Sequence, residues 1–182
     1  MIDITSKRFV ILGLQGSGKT ELAKHLLRQS SNSFVYDALN EYDGFRRYIP
    51  TDRNSIAELE KCVKRLVLKR LKPSLFILDE ANRYLIPKPH ALPEGIEELN
   101  DWSRHMRISW GCVCRRPTQL HTDIMELAHY LFIFVLRGKN DCAYLDGILP
   151  SLGDMVSGLP KYAFAVVTEN RSVTLHSPIS LS

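Results

Sequence analysis

No part of this chain stays apolar for long. Its longest aliphatic or aromatic run, "YLFIFVL", extends only from Tyr130 to Leu136, whereas a helix that crosses a bilayer needs about 20 residues. A transmembrane segment is therefore not expected, and the opening residues "MIDITSKRFV" lack the apolar core of a secretory signal. Cysteine is scarce as well: Cys62, Cys112, Cys114 and Cys142 contain no C-x-x-C pair. This excludes a small secreted disulfide framework and points to a reducing, cytoplasmic setting. Neither sign of charge prevails. Lys plus Arg number 24 against 20 Asp plus Glu, a formal net charge of +4, which suits a nucleic-acid partner without requiring one. Repeats, low-complexity tracts and linker-like stretches are missing too. With 182 residues, 45% of them hydrophobic, the chain can bury one core but is too short for two ordinary domains. Residues 1–182 are expected to form a single domain.

What is present is an alternation of short apolar runs with helix-period segments, the pattern of an α/β domain with a mainly parallel sheet. "RFVILG" (Arg8–Gly13) is the first strand, and "TELAKHLLRQ" is the helix after it. "SFVYD" (Ser33–Asp37), "SLFILDE" (Ser74–Glu80), "ISWGCVC" (Ile108–Cys114) and "YLFIFVL" are the second to fifth strands. Before the third, "SIAELEKCVKRLVLKRLK" places Ile56, Leu59, Val63, Leu66 and Val67 on one face of an amphipathic helix, capped by Asn54 or Ser55. Another helix opens at Pro93 and runs through "EGIEELNDWSRHM", and a short one lies near "TDIMELAH". The tail "KYAFAVVTENRSVTLHSP" reads as an antiparallel hairpin around "ENRS". The three prolines of "IPKPHALPEG" (Ile86–Gly95) mark a surface loop.

"GLQGSGKT" (Gly13–Thr20) satisfies G-x-x-x-x-G-K-[ST] at every fixed position and sits between a buried strand and a helix. Glycines let the backbone N–H groups turn inward, and the helix presents its positive end to the same point. Gly13, Gln15, Gly16, Ser17, Gly18, Lys19, Thr20 and the following Glu21 are the candidate residues for binding ATP. Lys19 would reach the β- and γ-phosphate oxygens, and the Thr20 hydroxyl would be a Mg²⁺ ligand. A glycine-rich turn that matches by chance is the alternative, and the strand and helix context argues against it. At the end of "LFILDE", Asp79 suits a Mg²⁺ site and Glu80 suits a general base that polarises the attacking water. Adjacent carboxylates at a strand end could instead cap a helix. Together the two motifs point to a nucleoside triphosphatase.

Three further segments follow in order. "VYDALNEY" (Val35–Tyr42), "LDEANRYLIPK" (Leu78–Lys88) and "SRHMRISWGCVCRRPTQL" (Ser103–Leu120) resemble the second-strand D-x-x-x-E-Y, the DEA-[HN]-R and the Arg-strand-Q-R-P-[ST] segments of the HerA/FtsK class of DNA-translocating ATPases. That class includes the genome-packaging ATPases of viruses with an internal membrane. The resemblance runs from about Arg8 to Asp141. It implies a RecA-like P-loop NTPase fold with strand order 5-1-4-3-2, so that the fourth strand lies between the phosphate-loop strand and the Asp79 strand. It also implies a homo-oligomer, a hexameric ring with nucleotide at subunit interfaces and double-stranded DNA in the channel, and a virion, portal or vertex protein as a possible partner. The chain corresponds to the ATPase core alone, which favours a viral or mobile-element setting.

At the end of the fourth strand, relatives carry a Gln that senses the γ-phosphate, and this chain has Arg115. The cation could stabilise transition-state charge, hold ATP without orienting water, or turn out to solvent. Arg104 matches the class's arginine finger, which acts across a subunit boundary. Arg107 lies close to it, and Arg137 is a third candidate. Basic residues at Arg46, Arg47, Lys61, Lys64, Arg65 and Lys72 are DNA contacts or an ordinary solvated face. Cys112 and Cys114 share one side of a strand and suit core packing better than zinc. Trp102 suits helix packing or a subunit contact. The resemblance makes the leading function an ATP-hydrolysing DNA translocase. The alternatives are a Zot-like phage assembly or secretion ATPase and a nucleotide-gated binding module with little turnover.

Overall fold

Runs such as "RFVIL" and "LFIL" can be buried on both faces only in the middle of a sheet covered by helices on each side. The computed structural model describes residues 3–179 and shows this arrangement. Eight strands form one sheet: β1 (Arg8–Leu12), β2 (Ser33–Tyr36), β3 (Arg47–Tyr48), β4 (Leu75–Leu78), β5 (Ser109–Cys114), β6 (Tyr130–Phe134), β7 (Phe164–Thr168) and β8 (Val173–His176). Their order is β3-β2-β4-β5-β1-β6-β7-β8. Pairing is parallel from β3 through β6 and antiparallel from β6 to β8. The five strands expected from the apolar runs thus stand in the expected sequence, and the C-terminal hairpin widens the sheet beyond β6.

The opposite edge differs from the expectation. There β3 adds a two-residue strand beside Val35 and Tyr36. No apolar run announces it, because an edge strand of Arg47 and Tyr48 is half-buried and held by pairing alone.

On one face, α1 (Lys19–Arg28) packs Leu22, Ala23, Leu26 and Leu27 against Phe9, Ile11, Val113 and Phe132. The other face is covered by α2 (Ile56–Cys62), a π-helical continuation (Val63–Leu71), α3 (Glu94–Trp102), α4 (Thr122–Glu126), α5 (Lys139–Ile148) and α6 (Leu152–Ser157). Cys112 and Cys114 point into this second core while Val113 points into the first, as strand alternation requires. The four cysteines are free, and the described residues contain no cluster of three or more His, Cys, Asp or Glu side chains that could hold a metal. Burial pushes the Cys114 thiol up to about 11, so it stays protonated and packs as a small apolar group.

Helix details follow the simple pattern at the α2 cap and depart from it in three places. Ser55 caps α2 by accepting a hydrogen bond from Glu58 N at 3.1 Å. After Cys62 the winding widens to i→i+5, bringing Leu68 into the core with Val67, while Ile56 at the first turn remains 37% exposed. Pro93 stands just before α3 rather than inside it, and the helix stops at Trp102. Trp102 is 56% exposed and meets the His105 ring at a centroid distance of 5.9 Å. The segment "KNDCAYLDGI" of α5 carries little apolar periodicity and was not expected as a helix.

The close approach of β5 to β1 requires a glycine. Gly111 pairs with Phe9, and a Cβ at Gly111 would clash with the edge of the Phe9 ring at Cε2. Gly111→Ala is expected to destabilise the chain by about 1–3 kcal/mol, read as a lower urea midpoint at an unchanged m-value.

Candidate active site

Beyond Leu12 the chain curls through a loop in which Gly13 (φ 152°), Gly16 (φ 72°) and Gly18 (φ 108°) all have positive φ. At Gly13 a side chain is also barred by space, since a Cβ would lie 2.6 Å from the Phe134 Cβ. Gly18 is the left-handed residue that starts α1. Lys19 folds back across the loop, and its Nζ donates to Leu14 O at 2.9 Å. Burial lowers its pKa, with Glu80 opposing the shift. The Thr20 hydroxyl lies 3.4 Å from Glu41 Oε2.

The end of β4 supplies the acidic groups. Asp79 is 3% exposed, and its Oδ2 meets no hydrogen-bond partner among the described residues. Its pKa is pushed up to about 7, first by burial and then by the neighbouring Glu80. Nearby, the buried Tyr42 hydroxyl also lacks a partner in good geometry, and its pKa is driven well above the phenol range by burial and by Asp79. Glu80 adopts the left-handed conformation (φ 50°), a placement that costs about 1–3 kcal/mol for a non-glycine residue and is common at reactive sites.

Arg115 follows β5, between the ends of β1 and β4. It does not turn out to solvent: Nε and Nη2 donate to Glu80 Oε1 at 3.2 and 3.1 Å, with the side chain 41% exposed. Arg83 Nε is 3.8 Å from the other Glu80 oxygen. A cleft of ≈ 550 Å³ brings together Gln15, Gly16, Lys19, Thr20, Glu21, Asp79, Glu80 and Arg115. Ser17 is buried under the loop, and its Oγ has no partner.

Two charged contributors were not anticipated: Glu41 and Lys24 also line the cleft. The D-x-x-x-E-Y spacing carried the signal for Glu41: the buried Asp37 carboxylate accepts from Glu41 N (2.8 Å), Tyr42 N (3.0 Å) and Arg47 Nη1 (2.9 Å), folding a turn that holds Glu41 beside Thr20. Arg47, bound to Asp37 and Asp43, is therefore a structural cation rather than a free basic group. Arg116, adjacent to Arg115, donates to the buried Asp141 on α5 at 2.8 Å, and Thr118 donates to the same carboxylate at 2.7 Å.

The remaining arginines lie elsewhere. Arg104 and Arg107 are exposed in the turn before β5. They stand at the opposite end of the strand from Arg115, roughly 17 Å of β5 away at ~3.3 Å per residue. They cannot reach the cleft of their own chain. Arg137, also exposed, follows β6 and does not line the cleft. Lys61, Arg65 and Lys72 are exposed, while Lys64 pairs with Glu94 at 2.6 Å. The proline-bearing loop is tied down by Lys88–Asp123 (2.7 Å) and His121–His90 O (3.0 Å).

A Mg²⁺ ion fits this donor set. The Thr20 hydroxyl and the Asp79 carboxylate are hard oxygen donors at one edge of the sheet, and Asp79 Oδ2 is a buried acceptor that no group among the described residues satisfies.

Several solved structures share this architecture. The genome-packaging NTPase B204 of Sulfolobus turreted icosahedral virus 2, in complex with ATP-γS, superposes with a TM-score of 0.84 over 98% of this chain and 100% of that one, at 20% identity. B204, the DNA-packaging ATPase from Sulfolobus turreted icosahedral virus, gives 0.81 over 98% and 100%, at 19% identity. The N-terminal domain of zonular occludens toxin from Neisseria meningitidis gives 0.64 over 96% and 95%, at 14% identity. No family model and no curated protein matches the chain. The fold is that of the P-loop NTPases. At the level of fold, the resemblance carried by the motifs holds for both the viral packaging proteins and the Zot domain.

The raised Asp79 pKa predicts a pH dependence of stability. Between about pH 4 and 7 the folded chain keeps a proton that the unfolded chain, with its carboxyl near 3.8, has released. The unfolded state therefore binds fewer protons, and stability falls as pH rises through this window. Asp79→Asn should flatten that slope and raise stability above pH 7 by about 1–3 kcal/mol, as read from urea midpoints in metal-free buffer.

Proposed function

We propose that this chain is an ATPase that moves double-stranded DNA, packaging a viral genome or transferring mobile-element DNA. The observation that carries the reading is the single cleft where Lys19, Thr20, Asp79, Glu80 and Arg115 converge. The loop N–H groups and Lys19 bind the triphosphate. Thr20 and Asp79 would hold Mg²⁺, which would supply neutralisation of phosphate charge. Glu80 accepts a proton from water as the water oxygen bonds to the γ-phosphorus and the bond to the β-phosphate oxygen breaks, giving ADP and phosphate.

Before that step Glu80 must be released. A carboxylate accepting two hydrogen bonds from Arg115 at one oxygen, with Arg83 near the other, is poorly placed to take a proton from water. An incoming γ-phosphate competes for the Arg115 guanidinium and frees Glu80, so one cation senses the nucleotide and restrains the base. Arg104 completes the site of a neighbouring subunit, consistent with its exposure at the end of the sheet far from its own cleft. That arrangement belongs to a ring, hexameric by analogy, with DNA in its channel and a portal or vertex protein at its docking face. Such a protein works in the cytoplasm. Support comes from the shared fold of the viral packaging NTPases.

A nucleotide-gated module is the second reading, favoured by the same Arg115–Glu80 ion pair. ATP turnover with and without linear double-stranded DNA separates the two. The motor predicts strong stimulation by DNA, and Glu80→Gln should lower turnover at least about 100-fold while ATP affinity is retained. Binding without turnover, in an assembled ring with DNA, would establish the gated module instead. Arg115→Gln is expected to raise DNA-free turnover about tenfold, the loss of roughly 1.4 kcal/mol of charge-assisted hydrogen bonding. A variant no faster than the parent removes the restraint from the mechanism.

A further inference from the structure

Acidic side chains outnumber basic ones in the phosphate cleft. Glu21, Glu41, Asp79 and Glu80 line it, against Lys19, Lys24 and Arg115. Two of the acids are paired: Glu21 accepts from Lys24 at 3.2 Å, and Glu80 from Arg115 at 3.1 Å. Among the described side chains of the cleft, this leaves Lys19 to meet phosphate, with two carboxylates, Asp79 and Glu41, outside any ion pair. A cleft suited to a highly charged anion thus carries surplus negative charge of its own.

Asp79 belongs to the metal site described above, whereas Glu41 has no part in it so far. Its position is nonetheless built. The fully buried Asp37 spends its two carboxylate oxygens on Glu41 N (2.8 Å) and Tyr42 N (3.0 Å), and Tyr42 is itself fully buried. Asn40, the residue before, adopts a left-handed conformation (φ 61°), so the chain turns there and sets an exposed acidic side chain beside the first turn of α1. Glu41 Oε2 accepts from the Thr20 hydroxyl at 3.4 Å, a long bond for a hydroxyl donor. A hydroxyl has one hydrogen. Directed at Glu41, that hydrogen is withheld from a phosphate oxygen, and the Thr20 lone pairs are left to face a cation. The Glu41 charge works in the same direction. It repels bare phosphate, and it suits the water shell that Mg²⁺ largely keeps when bound.

Resting on the triphosphate reading of the loop, we propose that Glu41 sets the metal requirement of nucleotide binding. It commits the Thr20 hydroxyl to the ion, so that the cleft accepts a Mg²⁺-nucleotide and rejects the free nucleotide. Glu41 is a specificity determinant that acts through Thr20 and through its charge, without touching the reacting atoms. Asp37 is the group that holds it there.

Calorimetric binding of ATP and of inorganic tripolyphosphate, each in EDTA and in excess Mg²⁺, to the parent, Glu41→Gln, Glu41→Ala and Lys19→Ala tests this. Glu41 is exposed, so neither substitution there opens the core. The parent should bind both ligands at least about tenfold more tightly with Mg²⁺ than without. Both Glu41 variants should bind the metal-free ligands about tenfold more tightly than the parent, the scale of one unit charge near a protein surface. With Mg²⁺ they should bind no more tightly than the parent, so the metal dependence collapses. Equal shifts with and without Mg²⁺, or no shift in either condition, overturn the role of Glu41 and leave the phosphate loop intact. A parent chain indifferent to Mg²⁺ does the same. Lys19→Ala should lose both ligands in both conditions; a Lys19→Ala chain that binds like the parent would overturn the phosphate-loop reading and the role of Glu41 with it.

Discussion

The register of β5 between β1 and β4 is the constraint on which the candidate chemistry depends. Leu12 pairs with Cys114 and Leu78 with Cys112, so the residues just past three adjacent strands emerge at one edge of the sheet. The phosphate loop, the Asp79–Glu80 pair and Arg115 meet there although they are far apart in sequence. Parallel pairing makes that meeting possible, because the carboxyl ends of neighbouring strands open to the same side. Small and apolar groups on β5 maintain it: Gly111 admits the Phe9 ring, and Cys112 and Cys114 fill the helix-covered side.

Charge in and around the cleft is arranged largely by pairing. Lys19 is buried beside the loop carbonyl of Leu14, Glu80 is paired with Arg115, and Asp37 is saturated by two backbone N–H groups and Arg47. Each of these charges is offset by a partner, as burial demands. Asp79 Oδ2 has none among the described residues, and burial, followed by the neighbouring Glu80, pushes the carboxyl up to about 7. The unsatisfied oxygen is where an added cation gains most, since the protein has already borne the cost of stripping it of water.

Legibility in the sequence followed the density of local signal. The phosphate loop and "LFILDE" were readable because glycines, a lysine and carboxylates at fixed spacing have few other uses, and both fall at strand ends as expected. The positions of Cys112 and Cys114 followed from strand alternation. Other features depended on tertiary contacts that no local pattern carries. Strand β3 exists only because Val35 and Tyr36 offer an edge, and the π-helical winding after Cys62 is invisible to a search at helical spacing. Arg115 was recognised as a departure from its relatives, but its pairing with Glu80 required the two strand ends to be placed side by side.

Arg116 gives the neighbouring Arg115 a particular kind of freedom. The buried Asp141 carboxylate grips both Arg116 and Thr118, and Pro117 between them fixes a backbone torsion, so the segment leaving β5 is clamped to α5. The backbone at Arg115 is thus held from below by the sheet and from above by a helix. If its guanidinium changes partners, the change must take place in side-chain torsions, over a few ångströms and without a loop swinging. The device acts like a latch on a fixed hinge, its reach set by the length of one arginine.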